Sequence, residues 1–189
     1  MKLSLLTTQL SFTTERLQIR LMQQDDFPLF NRLQSDKALM QYIGPILSPE
    51  ELKAKFNTRI RPWDGEQDHW LTLKIITKNT NEFIGSVGFR IADIEAERAE
   101  IGYLLLQQYQ GHGYMTEATR ALVAFLFNQL EVAKIEAHCC ADNNASWKVM
   151  EKLGMEREGF FKSHSVLNQQ RHDDLAYGLL APRLVEHSQ

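Results

Sequence analysis

A chain of 189 residues that is 43% hydrophobic and 24% charged has enough apolar side chain for one globular domain with a sizeable core. Its net charge of −3 carries no long block of either sign, which gives no electrostatic case for a nucleic-acid partner. No run approaches the ~18 consecutive apolar residues of a membrane-spanning helix, so no membrane partner is expected.

The apolar start Met1-Lys-Leu-Ser-Leu-Leu is too short and too soon polar for a secretory signal. Residues 16–22 (Arg-Leu-Gln-Ile-Arg-Leu-Met) alternate apolar and polar and predict a first strand with one solvent-facing side. Asp25-Asp26 with Pro28 marks a helix start, and Phe27, Phe30 and Leu33 give that helix its apolar stripe. Gly44-Pro45 breaks the chain. Ser48-Pro-Glu-Glu51 is a capping box with proline in the first turn, and the helix it opens should run to about Ile60. Residues 61–70 have loop composition but contain Trp63 and Trp70, which either staple the loop to the core or line a substrate pocket.

Residues 70–77 and 82–91, joined by Lys78-Asn-Thr-Asn81, predict an antiparallel hairpin. A polar turn over 94–99 leads into an apolar strand over 100–106. Next comes a loop with Gly111 and Gly113, then a helix with apolar residues at Ala118, Ala121, Leu122, Phe125 and Leu126. Residues 134–141 form another strand, in which the neighbouring Cys139 and Cys140 would face opposite sides. They make no disulfide framework, and a cytoplasmic, reducing location is the default. Asp142-Asn143 caps a helix to about Leu153, which Gly154 ends. Residues 160–167 and 173–180 are the last strands. With no repeat, low-complexity tract or linker, the order β-α-α-β-β-β-α-β-α-β-β predicts one α+β domain over 1–189 with a mainly antiparallel sheet.

Chemistry concentrates at the strand–glycine loop–helix passage. The glycines let backbone approach a ligand. The helix start offers unpaired N–H groups and partial positive charge, together a cradle for an anion such as phosphate. A P-loop would need lysine and serine or threonine that are absent here. A dinucleotide fingerprint would need glycine where Thr116 stands; Glu131 falls at the acidic position, but no βαβ pattern precedes the loop. The remaining pattern is Gln108-x-x-Gly111-x-Gly113, closed by Tyr-Met-Thr-Glu-Ala118.

This pattern closely resembles the Q/R-x-x-G-x-G/A signature of the GNAT superfamily of acyl-CoA N-acyltransferases. Asn143-Asn-Ala-Ser-Trp-Lys-Val-Met-Glu-Lys-Leu-Gly-Met155 resembles a second family segment, with Met155 in place of the usual Phe. With Arg16-Leu-Gln-Ile-Arg, Ile84-Gly-Ser-Val-Gly88 and Ala99-Glu-Ile-Gly-Tyr103, the resemblance spans about residues 12–180 and is greatest to the RimJ/RimL-like branch, which contains ribosomal-protein N-terminal acetyltransferases. It implies a mixed, mainly antiparallel twisted sheet splayed between strands 4 and 5, flanked by about four helices. It implies acetyl-CoA as co-substrate and no metal. Pantetheine would pair with Leu104, Leu105 and Leu106, whose strand edge the splay leaves open. Gln108, Gly111, His112, Gly113 and Tyr114 would cradle the pyrophosphate, with Met115 and Thr116 extending the contact. Asn143 and Ser146 would lie near the thiol; Asn143 is equally a helix cap, and Ser146 either belongs to that cap or also donates a proton to the thiolate.

Acetyl transfer needs a neutral amine. An α-amine with pKa ~7.8 is about a tenth neutral at pH 7, whereas a lysine or polyamine amine near ~10.4 costs roughly 4–5 kcal/mol to neutralise. Glu100 is the first candidate base, by resemblance to a catalytic glutamate of histone-type enzymes, and is otherwise a solvent-facing strand residue. His138 is the second. The chain departs from the family at Met150, where some N-terminal acetyltransferases carry Tyr, and at Ser165, where the ribosomal L-type enzyme carries Glu. His138 and Cys140 could share a strand face, but no third ligand stands at zinc spacing. His164, His172, Asp173 and Asp174 receive no role. The acceptor is a protein N-terminus or a small-molecule amine (polyamine, amino acid or antibiotic), attacked directly because no cysteine sits in an activated motif. A CoA-binding regulator with a decayed active site is the reading from a different class. A monomer and a homodimer both fit.

Overall fold

The strand alternation and the 3.6-residue helical spacing resolve into one eight-stranded sheet with helices on both faces. The computed structural model describes residues 1–6, 10–65 and 69–182. The strands are β1 (Ser11–Thr13), β2 (Leu17–Leu21), β3 (Leu71–Thr77), β4 (Phe83–Asp93), β5 (Arg98–Leu105), β6 (Lys134–Cys140), β7 (Glu156–Leu167) and β8 (Gln170–Leu180). The α-helices are α1 (Phe27–Gln34), α2 (Lys37–Met40), α3 (Pro49–Ile60), α4 (Tyr114–Asn128) and α5 (Asn144–Lys152). The strand order is β1-β2-β3-β4-β5-β6-β8-β7.

Every neighbouring pair is antiparallel except β5 and β6. That parallel pair is brief: it runs from Arg98 opposite Lys134 to Glu100 opposite Glu136 and then ends. Beyond Glu100 the strands part, so the splay expected between the fourth and fifth predicted strands lies between β5 and β6. The count shifts by one because β1, only three residues long, precedes the strand predicted first. Helix α2 was not predicted either; Asp36 caps it through Ala38 and Leu39 N–H, and four residues are too few to show a periodic stripe. The last two strands join through Asn168 and Gln169, both with positive φ (50° and 65°), a two-residue hairpin turn that starts β8 before its predicted first residue, while β7 starts earlier at its other end and stops at Leu167 as predicted.

Helix α4 packs Met115, Ala118, Leu122, Phe125 and Leu126 against one face of the sheet, meeting Leu71, Leu73 and Ile75 of β3 in the larger core. On the opposite face Phe30 and Leu33 of α1 and Leu52 and Phe56 of α3 close over Met22, Phe83 and Leu106. Because both faces are covered, every residue of β3 is buried. The capping box at Ser48 and Glu51 forms as the sequence predicts and starts α3 with two reciprocal hydrogen bonds. Of the loop tryptophans, Trp63 packs partly buried against the main core, whereas Trp70 lies over Gly102 of β5; Glu66, Gln67 and Asp68 between them fall outside the described residues.

Candidate active site

The cradle is built by two backbone conformations that favour glycine. Gly111 and Gly113 have φ of +80° and +79°, the left-handed region in which a Cβ is strained. Gly113 sits at the N-cap of α4, and no side chain caps that helix, so its first amides are available to an anion. Arg16 ties β2 to this loop. Its Nε donates to Glu117 Oε2 at 2.6 Å, its Nη1 to the His112 carbonyl at 3.0 Å, and its guanidinium lies 4.4 Å from the Tyr114 ring centre. Arg16 had been read only as part of a strand motif. Nothing local to the glycine loop announces it, because its partners His112 and Glu117 lie 96 and 101 residues away in sequence.

The residues expected to hold CoA divide by orientation. Gln107, Gln110 and Gly111 line a cleft of ≈ 440 Å³ together with Leu104, Leu105, Asn143 and Ser146. Gln108 instead lines a separate hollow beside Arg20 and Arg32. The side chains of Met115 and Leu106 are buried in the two cores, which leaves Met115 its amide alone as a contact. His112 is exposed, with Nδ1 2.8 Å from the Gln110 carbonyl and its ring stacked on Tyr114. Tyr114 and Thr116 are half-buried in the first turn of α4.

Backbone phase along β5 decides which peptide groups meet the cleft. The Leu106 N–H donates to the Ile84 carbonyl of β4 at 2.9 Å, and the Glu97 carbonyl accepts from Ala133 on the β6 side at 2.8 Å. Alternation then turns Leu104 and Leu106 towards β4, and Ile101, Tyr103 and Leu105 into the gap. Of the three leucines, Leu105 is therefore the one whose peptide meets the gap, Leu104 and Leu106 turn theirs towards β4, and Tyr103 joins Leu105. The Leu105 carbonyl is met by Gln110 Nε2 at 3.1 Å.

Across the gap, Asn143 caps α5 by accepting the Ser146 N–H at 3.2 Å, so its side chain is the helix cap that the sequence allowed. Ser146 Oγ donates to the Tyr103 hydroxyl at 3.3 Å, and Tyr103 Oη donates to the Ser146 carbonyl at 2.9 Å. This link bridges the two arms of the splay. Burial raises the Tyr103 pKa, so the hydroxyl stays protonated and serves as a hydrogen-bond donor. Burial likewise pushes the neighbouring Cys139 thiol up to about 11, far from an activated nucleophile.

At the vertex of the splay the two candidate bases stand together. Glu100 Oε1 lies 3.4 Å from His138 Nδ1, and Arg90 holds Glu100 Oε2 at 2.6 Å. Burial alone would raise the Glu100 pKa, but hydrogen bonds from His138 and Arg90 carry it below the usual value. The hydrogen bond to Glu100 raises the His138 pKa against the opposing effect of burial. The side chain of Glu100 is only 16% exposed and that of His138 is 49% exposed, so the imidazole is the member open to a ligand.

Beside this vertex, on the α1/α3 face, Thr72, Gly88 and Gly102 are paired across β3, β4 and β5. Two absent side chains leave a hollow of ≈ 180 Å³ walled by Lys55 and Arg59 of α3 and by Trp70. It shares Ile43, Tyr103 and Leu104 with the larger cleft. Lys55 donates to Gln34 at 2.8 Å, and Arg59 lies 5.0 Å from the Trp70 ring centre. His138 and Cys140 do not group as metal ligands. Cys140 instead clusters with Asp142 and His172, their ligand atoms within 4.8 Å of one another, a grouping whose third member comes from a distant strand. His172 faces Asp142 at 3.3 Å, and Ser165 donates to Asp174 at 3.0 Å.

A family model described as an acetyltransferase (GNAT) domain matches residues 16–156. The uncharacterized N-acetyltransferase YnaD of Bacillus subtilis is 30% identical over 169 residues, 89% of this chain and 95% of YnaD. A spermidine N-acetyltransferase from Vibrio cholerae, solved with CoA and spermine, has a TM-score of 0.78 at 19% identity, covering 91% of this chain and 99% of that one. RimL, a ribosomal L7/L12 alpha-N-protein acetyltransferase solved with CoA, has a TM-score of 0.77 at 24% identity, covering 88% of this chain and 95% of that one. At these identities the two structures share the fold.

Proposed function

Since this chain belongs to the acetyltransferase (GNAT) family and is an acetyl-CoA-dependent N-acetyltransferase, we propose that it acetylates an α-amino group, most specifically that of a protein N-terminus, by direct attack. The observation that carries this reading is the Glu100–His138 pair at the vertex of the splay. An imidazole whose pKa is raised by a neighbouring carboxylate is matched to an α-ammonium near ~7.8, and much less well to an alkylammonium near ~10.4. The cations Lys55 and Arg59 on the same side would also meet a polyamine charge to charge.

In this mechanism the pyrophosphate of acetyl-CoA rests on the amides at Gly111–Thr116, and pantetheine pairs with the Leu105 peptide. The Tyr103 peptide N–H, turned into the gap, donates to the thioester oxygen as it becomes an oxyanion. The amine nitrogen forms a bond to the carbonyl carbon and gives its proton to His138, which Glu100 orients. The C–S bond then breaks, the Ser146 hydroxyl turns its proton from the Tyr103 oxygen to the departing thiolate, and the thiolate takes its own proton from solvent. Neither cysteine takes part, in keeping with the raised Cys139 pKa. Glu100, first considered as the base itself, becomes the group that orients and charges His138.

The test is thiol release from acetyl-CoA with a panel of free-N-terminus peptides, N-blocked lysine peptides and polyamines, the products identified by mass spectrometry. Acetylation confined to free α-amines is expected. Turnover of polyamines or blocked lysine peptides alone would overturn the acceptor assignment, and CoA binding without turnover of any amine would leave a binding protein.

A further inference from the structure

Resting on the α-amine reading above, the geometry points to an acceptor that carries a carboxylate, seated in the hollow between Lys55 and Arg59 next to the amine to be acetylated. Three observations converge there. First, two cations of α3, one turn apart, face a half-buried cavity, and neither has a carboxylate at ion-pair distance among the described residues. Their neighbours are the amide of Gln34 and the ring of Trp70, both neutral. Second, the floor presents Thr72, 5% exposed, whose Oγ1 has no hydrogen-bond partner, a polar atom that folding leaves unsatisfied. Third, the space exists because Gly88 and Gly102 stand where side chains would fill it. A Cβ on Gly102 would meet the Trp70 ring at 3.1 Å, and one on Gly88 would meet the Leu71 carbonyl oxygen at 2.6 Å.

Two carboxylates on this face are already matched. Asp26 pairs with Lys74, and Glu100 is held by Arg90 and His138. Burial lowers the Arg59 pKa to about 10, which leaves the guanidinium a cation at neutral pH, and burial lowers that of Lys55, with Arg59 adding repulsion, so an anion between them relieves a standing cost. A guanidinium takes a carboxylate through two parallel N–H bonds, while the Lys55 ammonium and Thr72 hydroxyl can serve its remaining lone pairs. The hollow communicates with the CoA cleft at Tyr103 and Leu104, where the acyl carbon would lie, so a carboxylate here belongs to the acceptor and not to the donor. Two sources have this chemistry: the acidic side chain of a peptide's first residue and the α-carboxylate of a free amino acid.

The experiment uses the whole protein saturated with CoA for calorimetric binding, and with acetyl-CoA for turnover. One pair of probes is Glu-Ala-amide and Gln-Ala-amide; the other is free alanine and alaninamide. In the pair corresponding to the true source, the acid should bind and turn over better than its amide by at least about tenfold. Arg59→Gln, or Lys55→Gln if the first variant does not fold, should bring that ratio towards one. Equal behaviour of acid and amide in both pairs, or an undiminished ratio in both variants, overturns the inference. Acid-selective binding with no acetylation of any amine upholds the anion seat and overturns the α-amine reading. Acetylation indifferent to the acid does the reverse.

Discussion

Glu100 and His138 come from strands that run parallel for three residues and then part, and they face each other at 3.4 Å where the parting begins. The relationship follows from register: Glu100 stands opposite Glu136, so the next residue of β6 on the same face, His138, is one step into the gap. The same register places the Arg90 guanidinium across β4 from Glu100, opposite it in the ladder. A carboxylate fixed by two cations is a weak base. An imidazole fixed by a carboxylate is a stronger one.

The pH–rate profile should separate these roles. With His138 as the proposed base, activity needs the neutral imidazole, so the acid limb should follow the His138 pKa, which the Glu100 hydrogen bond raises above the ordinary imidazole range. Glu100→Gln removes the cause of that raise, and the limb should move to lower pH while kcat on the plateau falls about ten- to a hundredfold. His138→Gln should abolish the limb. If Glu100→Gln instead removes the limb and His138→Gln leaves it, Glu100 is the base.

Tyr103 and Ser146 should behave as a unit. Tyr103→Phe takes the donor from the Ser146 carbonyl and the acceptor from its hydroxyl, and should cost about 1–2 kcal/mol of stability and lower kcat. Ser146→Ala should lower kcat as well. The double variant should lose less in kcat than the two single losses combined, because the second change removes an interaction the first has already broken. A strictly additive double-mutant cycle in kcat would show that Tyr103 does not act through Ser146.

Gly113→Ala tests the cradle. At a φ of +79° the substitution should destabilise the chain by about 1–2 kcal/mol and disturb the first turn of α4. Thermal unfolding should show the loss, and KM for acetyl-CoA should rise with little change in kcat at saturation. Gly154→Ala, at the end of α5 with a φ of +82°, should cost similar stability and leave that KM alone.

The glycine cradle was legible because it is contiguous: strand, two glycines and uncapped helix follow one another within one stretch of chain. The Ser48 capping box, the β3–β4 hairpin and the α+β order were legible for the same reason, each being set by neighbours in sequence. The Glu100–His138 pair was legible only as two separate candidates, since their meeting depends on a parallel register that no local pattern encodes. The Tyr103–Ser146 link spans 43 residues and joins a motif residue to one assigned on other grounds. The acceptor-side hollow was the least legible part. It is made by glycines on two strands and by cations on α3, and the absence of a side chain at Gly88 or Gly102 means nothing until the strands are paired. Gln108 is a different case: its motif position is read directly from the chain, but the residue lines a hollow beside Arg20 and Arg32 that no local pattern announces.

The buried pair of Lys74 and Asp26 makes the last prediction. Lys74 is 5% exposed in the middle of β3 and Asp26 6% exposed at the start of α1, where it also accepts the Gln23 N–H at 2.9 Å. One ion pair therefore fixes the entry of α1 over the face of the sheet that carries the hollow. Asp26→Ala removes the only carboxylate at ion-pair distance from Lys74 among the described residues and leaves a charge in the interior, which should cost about 3–5 kcal/mol in urea unfolding. Replacing both partners by apolar residues of similar volume should recover most of that loss, because the pair's own contribution nearly cancels against its desolvation. If the double replacement is as unstable as Asp26→Ala, then the Asp26 bond to Gln23, and not the burial of Lys74, is what anchors the helix.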